Sequence, residues 1–507
     1  MSMSMDLQEK EKIEILQQIG NCVSENGAAE NEENLLQNFL PLRDYNKLAE
    51  DRVFLITGGR GTGKTELFRI LTSCNGLNFI INECDKKRFQ NIQNAEFIIG
   101  YIASGDGAKQ FPSQSICSRW IENKSSMDIN AFWTGLVCGV IVRKYHDVPE
   151  IMKLMNEYLE SELKDILLKS NSQLSKWWEL VLEKEETCMT FLDEVDTYFQ
   201  KCGKHIYITY DELDRICSNY KDLFGFIKGL LNFWYEYNNR FTNIKAKIFL
   251  RSDLYNSKAL QFVDASKLRA YHLELKWDTI SLYRLLVKRI ANSGSEAALR
   301  YLSEIPQLLK EKSDELGCLP CDSEQALHDF TDKLIGKYMG KTPKKGKSYS
   351  WVPNHIQDAN GELTPRPFLK CFSFASNEMI KHSDELNDLK EDHLLVPTYL
   401  QGALVTVSED RVKELTSEEY QWLTELIDRL KGKTMLMEKD EFLEYLTPDL
   451  WSEEKKDELP GRTKQEIYDV LLALGIIMET PDFRINVPEI YLYGFGLKRK
   501  GGIRRPK

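Results

Sequence analysis

The sequence predicts an α/β chain built on a parallel sheet covered by helices, on three observations. A hydrophobic run, VFLIT (Val53 to Thr57), leads into the glycine-rich stretch GGRGTGKT (Gly58 to Thr65) and then into the helical run ELFRILTS. A second hydrophobic run, Ile206 to Thr209, ends in Tyr210-Asp211-Glu212. From Asp51 onward, short β-rich runs are separated by helical stretches, which is how a sheet buried on both faces reads.

Taken in order, the first 45 residues are acidic and polar and read as an arm, with EKEKIEILQQI as one helix and NGAAENEEN as a loop. Residues 46–277 read as the sheet-bearing core. Its strands are VFLIT, then FIIN (Phe79 to Asn82) or FIIGYI (Phe97 to Ile102), then HIYITYD (His205 to Asp211), KIFLRS (Lys247 to Ser252) and HLEL (His272 to Leu275). The stretch 105–204, with WWELVLEKEE, is too long for a simple crossover and reads as an inserted helical subdomain. In 278–405 the strand pattern stops. SLYRLLVKRIAN, EAALRYLSEI and QALHDFTDKLIGKYM read as amphipathic helices of a lid, punctuated by the loops TPKKGKSY and QDANGELTPRP. Residues 406–507 read as a winged-helix-like unit. TSEEYQWLTELIDRL carries a Thr416/Glu419 capping box, TKQEIYDVLLALG ends at Gly475 in a position suited to a C-cap, and IIMETPDFRINV alternates around a Pro-Asp turn like a hairpin. The last ten residues, KRKGGIRRPK, hold six Lys or Arg and form a basic tail.

The glycine-rich stretch fits GxxxxGK[ST] with a strand before it and a helix after it, the context that makes it a phosphate-binding P-loop. Gly58, Gly59, Arg60, Gly61, Thr62 and Gly63 would turn consecutive backbone N–H groups toward phosphate oxygens, aided by the positive end of the following helix, and Glu66 at its start counts with them among the nucleotide-binding residues. Lys64 should reach the β- and γ-phosphates, and the Thr65 hydroxyl should bind Mg²⁺, so the expected cofactors are ATP and Mg²⁺. A phosphate loop needs a carboxylate element to finish the metal site. Asp211, at the C-terminal end of a buried-looking strand, would hold the Mg²⁺ shell, and Glu212 would orient and polarise the attacking water. Asp214 is either an outer metal partner or a capping or solvated residue. At the end of KIFLRSD, Ser252 or Arg251 can sense the γ-phosphate, and Arg251 can alternatively serve a neighbouring subunit as an arginine finger. Arg366, in LTPRPFLKCFSFA, is a sensor arginine or an ordinary surface one.

Composition narrows the remaining classes. The chain has 507 residues and a formal net charge of −11, which argues against a protein coated for nucleic-acid binding. No apolar run approaches the roughly 20 residues needed to cross a bilayer, the longest being AFWTGLVCGVIV, and MSMSMDLQEKEK has no hydrophobic signal core. A cytoplasmic chain with no membrane partner is expected. The 11 cysteines are scattered, with CLPC (Cys318, Cys321) the one close pair, and read as reduced structural thiols. There is no NKxD for guanine, no LSGGQ, no helicase motif series after Asp211, and no serine-triad or HExxH arrangement.

With those pieces placed, the chain resembles the AAA+/STAND side of the P-loop NTPases. GGRGTGKT, YITYDELD, the polar end of KIFLRSD, a helical lid carrying PRP and a C-terminal winged-helix-like unit come in that family's order over roughly 46–500, less the insertion. The resemblance implies a sheet of the additional-strand, catalytic-glutamate (ASCE) type. The stretch KAKIFLRSDLYNSKALQFVDASKLRAYHLELKWDTISLYRLLVKRI and the ending PEIYLYGFGLKRKGGIRRP are also similar to prokaryotic ATPases encoded in antiphage-defence systems. That likeness implies a nucleotide-controlled switch or scaffold that forms homo-oligomers and works with an effector protein. No pore-loop aromatic motif and no paired arginines after the sensor strand are present, which puts a substrate-threading motor in doubt. The alternative is a DNA-binding loader resembling origin-recognition or transposition ATPases, in which the winged helix and basic tail would contact phosphates.

Overall fold

The computed structural model describes residues 7–23, 32–73, 76–81, 89, 95–122, 124–256, 260, 268–310, 312–389, 392–456 and 458–499. The chain divides into two compact units, Pro41–Leu275 on one hand and Met1–Leu40 with Lys276–Lys507 on the other.

The unit Pro41–Leu275 is built on five parallel strands, β1 (Leu55–Gly58), β2 (Glu96–Tyr101), β3 (Ile206–Tyr210), β4 (Ile244–Arg251) and β5 (His272–Glu274). Their order is β2-β3-β4-β1-β5, so β4 stands between the two strands that carry the glycine loop and the Asp-Glu pair. This is the P-loop NTPase sheet with the additional strand. Every residue of β1 and β3 is buried, as a sheet covered on both faces requires. Of the two candidates for the second strand, FIIGYI forms it. Phe79 and Ile80 instead belong to a single helical turn, Leu77–Ile80, and Asn82 lies outside the described residues. A short apolar run cannot tell a buried turn from a strand by periodicity. Here Gly76 decides the matter, because a Cβ on it would lie 2.2 Å from the Ile70 carbonyl oxygen, and its bareness lets the turn fold back on the preceding helix.

Between β2 and β3 the chain forms the helices Gln114–Ile121, Ser126–Tyr145, Pro149–Tyr158, Ser161–Lys169, Leu174–Glu183 and Glu185–Cys202. The helix Ser126–Tyr145 starts at a Ser125/Asp128 capping box and is buried on nearly all sides, which explains why its sequence is apolar without a polar stripe. Two glycines one turn apart let it be approached closely. A Cβ would sit 2.2 Å from the Trp177 ring at Gly135 and 2.0 Å from Asn171 Oδ1 at Gly139. Among the described residues no helix is long and apolar enough to cross a membrane.

In the other unit the segment expected as an acidic arm carries the helix Glu9–Gly20, which buries Ile15, Leu16 and Ile19 and packs on the helix Pro365–Lys381. Ser373 Oγ donates to the Gly20 carbonyl, and Arg289 Nη1 donates to the Cys22 carbonyl at 2.7 Å. The helices Pro365–Lys381 and Pro397–Glu414 lie against each other. The expected cap at Thr416 does not form. Leu415–Glu419 extends the preceding helix as a π turn, Thr416 Oγ1 donates back to the carbonyls of Val412 and Lys413, Glu419 pairs with Arg411 at 2.9 Å, and the next helix begins at Leu423. A threonine whose hydroxyl can reach its own i−4 carbonyl has no need to end a helix. By contrast Thr463 and Glu466 make a reciprocal capping box on the helix Lys464–Ala473, and Gly475 follows it at φ 68. β6 (Met437–Glu438), β7 (Met478–Glu479) and β8 (Arg484–Asn486) form an antiparallel sheet in the order β6-β8-β7.

Candidate functional site

The glycine loop leaves β1 at Gly58, which sits in register with Arg251 on β4. A Cβ on Gly58 would lie 2.4 Å from Thr62 Oγ1, so a side chain there would push the loop open. Thr62 Oγ1 donates to the Gly59 carbonyl at 2.8 Å, closing the turn, and Gly61 and Gly63 take φ 79 and 93, the region L side chains avoid. Lys64 then opens the helix Lys64–Ser73. Its ammonium donates to the carbonyls of Gly58 and Gly59, both at 2.8 Å. Burial pushes this amine down to about 8, with Asp211 opposing the shift. A cation curled onto two carbonyls of its own loop is held where an anion entering the loop would compete for it. Arg60 is half-buried in the loop, and Glu66 lies in the first helical turn, where a Cβ on Gly63 would come within 3.5 Å of its Oε2.

Asp211 follows the last residue of β3, and its N–H donates to the Tyr101 carbonyl of β2 at 3.1 Å. The residue is 3% exposed, and its Oδ2 is buried with no hydrogen-bond partner among the described residues. Burial raises this carboxyl to about 6, while the Glu212 N–H, the Thr65 hydroxyl and Lys64 hold it down. A buried carboxylate oxygen without a donor, next to a threonine hydroxyl, fits a hard cation that takes oxygen ligands and keeps several waters, which is the habit of Mg²⁺. Thr65 and Asp211 are the residues that would hold it.

The folded-state value lies above the ordinary 3.8, so Asp211 favours folding below pH 3.8, and that contribution is lost as the pH rises through about 6. At neutral pH and without metal, the buried charge costs on the order of 3 kcal/mol. Asp211→Asn is therefore expected to melt at a higher temperature than the natural chain in metal-free buffer. A lower melting temperature would contradict the burial argument.

Glu212 sits at φ 55, ψ 31, a left-handed conformation that costs a non-glycine residue about 1 kcal/mol. The bend turns its carboxylate toward the end of β2. Oε2 accepts from the Ala103 N–H at 3.2 Å, and Oε1 accepts from Ser104 Oγ at 2.7 Å. Arg251 is buried to 10% exposure and grips Asp253 with two bonds, Nε to Oδ1 at 3.1 Å and Nη2 to Oδ2 at 2.8 Å. Its Nη1 reaches Asp214 Oδ2 at 3.3 Å. Ser252 is buried at the start of the short helix Ser252–Tyr255. Gly58 to Glu66, Asp211, Glu212, Arg251 and Ser252 all belong to the unit Pro41–Leu275. Arg366 belongs to the other unit, where it opens the helix Pro365–Lys381 and lies 3.9 Å from Glu414.

Sequence reasoning missed Ala103, Ser104 and Asp253. The first two lie just past β2, and their part follows from β2 pairing with β3, a partnership the runs alone do not reveal. Asp253 was visible as the last letter of KIFLRSD, two residues from the arginine it clamps.

No protein-family model and no curated protein matches the chain. Among solved structures, a Walker-type ATPase of Pyrococcus abyssi aligns over 93% of this chain and 97% of its own at 12% identity and a TM-score of 0.34. The ORC2 protein of Aeropyrum pernix, in ADPNP and ADP complexes, aligns over 92% and 97% at 10% identity, also with a TM-score of 0.34. The fold assignment stands on the strand order and the loop between β1 and its helix.

Proposed function

We propose that the chain binds ATP with Mg²⁺ at GGRGTGKT, hydrolyses it, and uses the bound nucleotide as a switch that governs self-assembly and the engagement of an effector protein. The observation that carries the nucleotide and Mg²⁺ part of this reading is the buried oxygen of Asp211, without a donor among the described residues, beside Thr65 and Lys64 at the end of the strand next to β4. Mg²⁺ held there would neutralise charge on the phosphate oxygens. The loop N–H groups would cradle the phosphates, and Lys64 would exchange its two carbonyls for phosphate oxygens. Glu212 would orient a water for attack on the γ-phosphorus, with ADP leaving. Arg251, fixed by Asp253 and Asp214 of its own chain, would supply positive charge in cis.

Antiphage defence is the biological setting we assign, on the sequence resemblance after β4 and at the chain's end; any toxic chemistry would then belong to the effector. A cytoplasmic location accompanies that reading. A DNA-loader reading is the second, favoured by the antiparallel sheet β6-β8-β7 with its capped helix Lys464–Ala473. Particle mass measured without nucleotide, with ATP, and with ATP plus duplex DNA separates the two. Growth with ATP alone supports the switch; growth only with DNA supports the loader; a mass indifferent to ATP overturns nucleotide-controlled assembly. In the same samples Arg251→Ala should lose turnover equally in small and assembled particles. A finger acting on a neighbour would instead lose about 10³ to 10⁵ only when assembled.

A further inference from the structure

The unit that holds Lys276–Lys507 contains a feature that the nucleotide reading does not use. Between Asp332 and Asp358 the sequence has no carboxylate and six lysines, in a chain whose net charge is −11. Five of the six, Lys337, Lys341, Lys344, Lys345 and Lys347, fall in KYMGKTPKKGK, and all five are exposed.

This stretch is a shaped element. Tyr338 bridges Lys347 in antiparallel fashion, the Met339 N–H donates to the Gly346 carbonyl at 3.0 Å, and the Ser348 N–H donates to the Lys337 carbonyl at 3.1 Å. The tip closes on two turns, Lys345 N–H to the Thr342 carbonyl and Gly346 N–H to the Pro343 carbonyl. Gly336 and Gly346, at φ 99 and 92, allow the chain to enter and leave the hairpin. Met339 and Ser348 are buried beneath it and anchor its base. None of the five lysines lies within ion-pair distance of a carboxylate among the described residues; Lys337 feels Asp332 only at longer range. Elsewhere in this unit lysines are commonly neutralised, as Lys370 is by Asp410 and Lys464 by Glu444. A concentrated, unneutralised positive edge on a braced hairpin therefore stands out from an acidic chain.

We propose that the hairpin Lys337–Lys347 is a nucleic-acid backbone contact, taking the phosphates of a duplex without regard to sequence. Lysine is a compact point charge without the planar fork that reads base edges, so five lysines and no arginine favour phosphate contact over base readout. The tip residues Gly340 to Gly346 offer no large apolar side chain to enter a lipid layer, which disfavours a membrane surface. These lysines are distinct residues from the basic run at the end of the chain, where Arg499 is paired with Glu489 at 2.7 Å.

The test uses the full chain and a short labelled duplex DNA, with binding measured by anisotropy across a salt series. Two variants are compared with the natural chain, K341Q/K344Q/K345Q and the charge-reversed K341E/K344E/K345E, together with a truncation after Arg499. Because the three lysines are exposed, the glutamine variant should keep the natural melting temperature. It should bind DNA at least about tenfold more weakly at 0.1 M salt, with the slope of log K against log salt smaller by roughly 3. The charge-reversed variant should bind more weakly still, and the truncation should keep the hairpin's share of the slope. No duplex binding by the natural chain overturns the proposal, as does an unchanged slope in both lysine variants. So does lysine-dependent binding to phosphatidylserine vesicles without binding to DNA.

Discussion

Glu212→Gln is expected to lower ATP turnover by about 10² to 10⁴ while ATP remains bound, the range over which a positioned acid-base group acts. The amide keeps nearly the shape of the carboxylate, so its oxygen can still accept from the Ala103 N–H or Ser104 Oγ. What it loses is the negative charge that polarises water. The variant should therefore retain bound ATP after gel filtration when the natural chain retains ADP. Normal hydrolysis by the variant would place the base elsewhere, and loss of ATP binding would show that Glu212 shapes the loop rather than the chemistry.

Lys64→Ala is expected to weaken ATP binding by about 10² to 10⁴, the value of two lost charge-assisted hydrogen bonds to phosphate. Stability should move differently. Burial holds this amine at about 8, below its ordinary 10.5, so the group favours folding above pH 10.5 and that contribution is lost as the pH falls through about 8. At pH 7 the charged lysine is a burden on the empty protein, and removing it should leave the nucleotide-free melting temperature unchanged or higher. Calorimetric titration with ATP and thermal melting of the same preparation read both effects. Unchanged affinity would sink the cradle, and a large drop in melting temperature would mean that the lysine is a structural clip on Gly58 and Gly59.

The motifs and the strands that carry them were legible because their chemistry is local. A glycine loop must stand between a strand and a helix, and an apolar β-branched run ending in Asp-Glu announces a buried strand with its carboxylates at one end. The sheet order was not legible, since nothing in the runs says that β4 lies between β1 and β3. For the same reason Ser104, 108 residues from Glu212, could not be linked to it by spacing. Glu9–Gly20 shows a different limit. Its charges made the segment read as an acidic arm without showing what it packs on; Ile15, Leu16 and Ile19 form one apolar stripe, and a stripe is buried when another helix offers a face to it. The Thr416 cap failed because the same Thr/Glu spacing can be used backward, with the hydroxyl on the helix behind it and the glutamate on Arg411.

Release of phosphate from ATP by the purified chain, followed with Mg²⁺ present and with Mg²⁺ chelated, reads the chemistry of this site directly. Phosphate release should stop on chelation and be nearly absent in both Glu212→Gln and Lys64→Ala. Release that continues without Mg²⁺, or at the natural rate in either variant, would contradict ATP hydrolysis at this site.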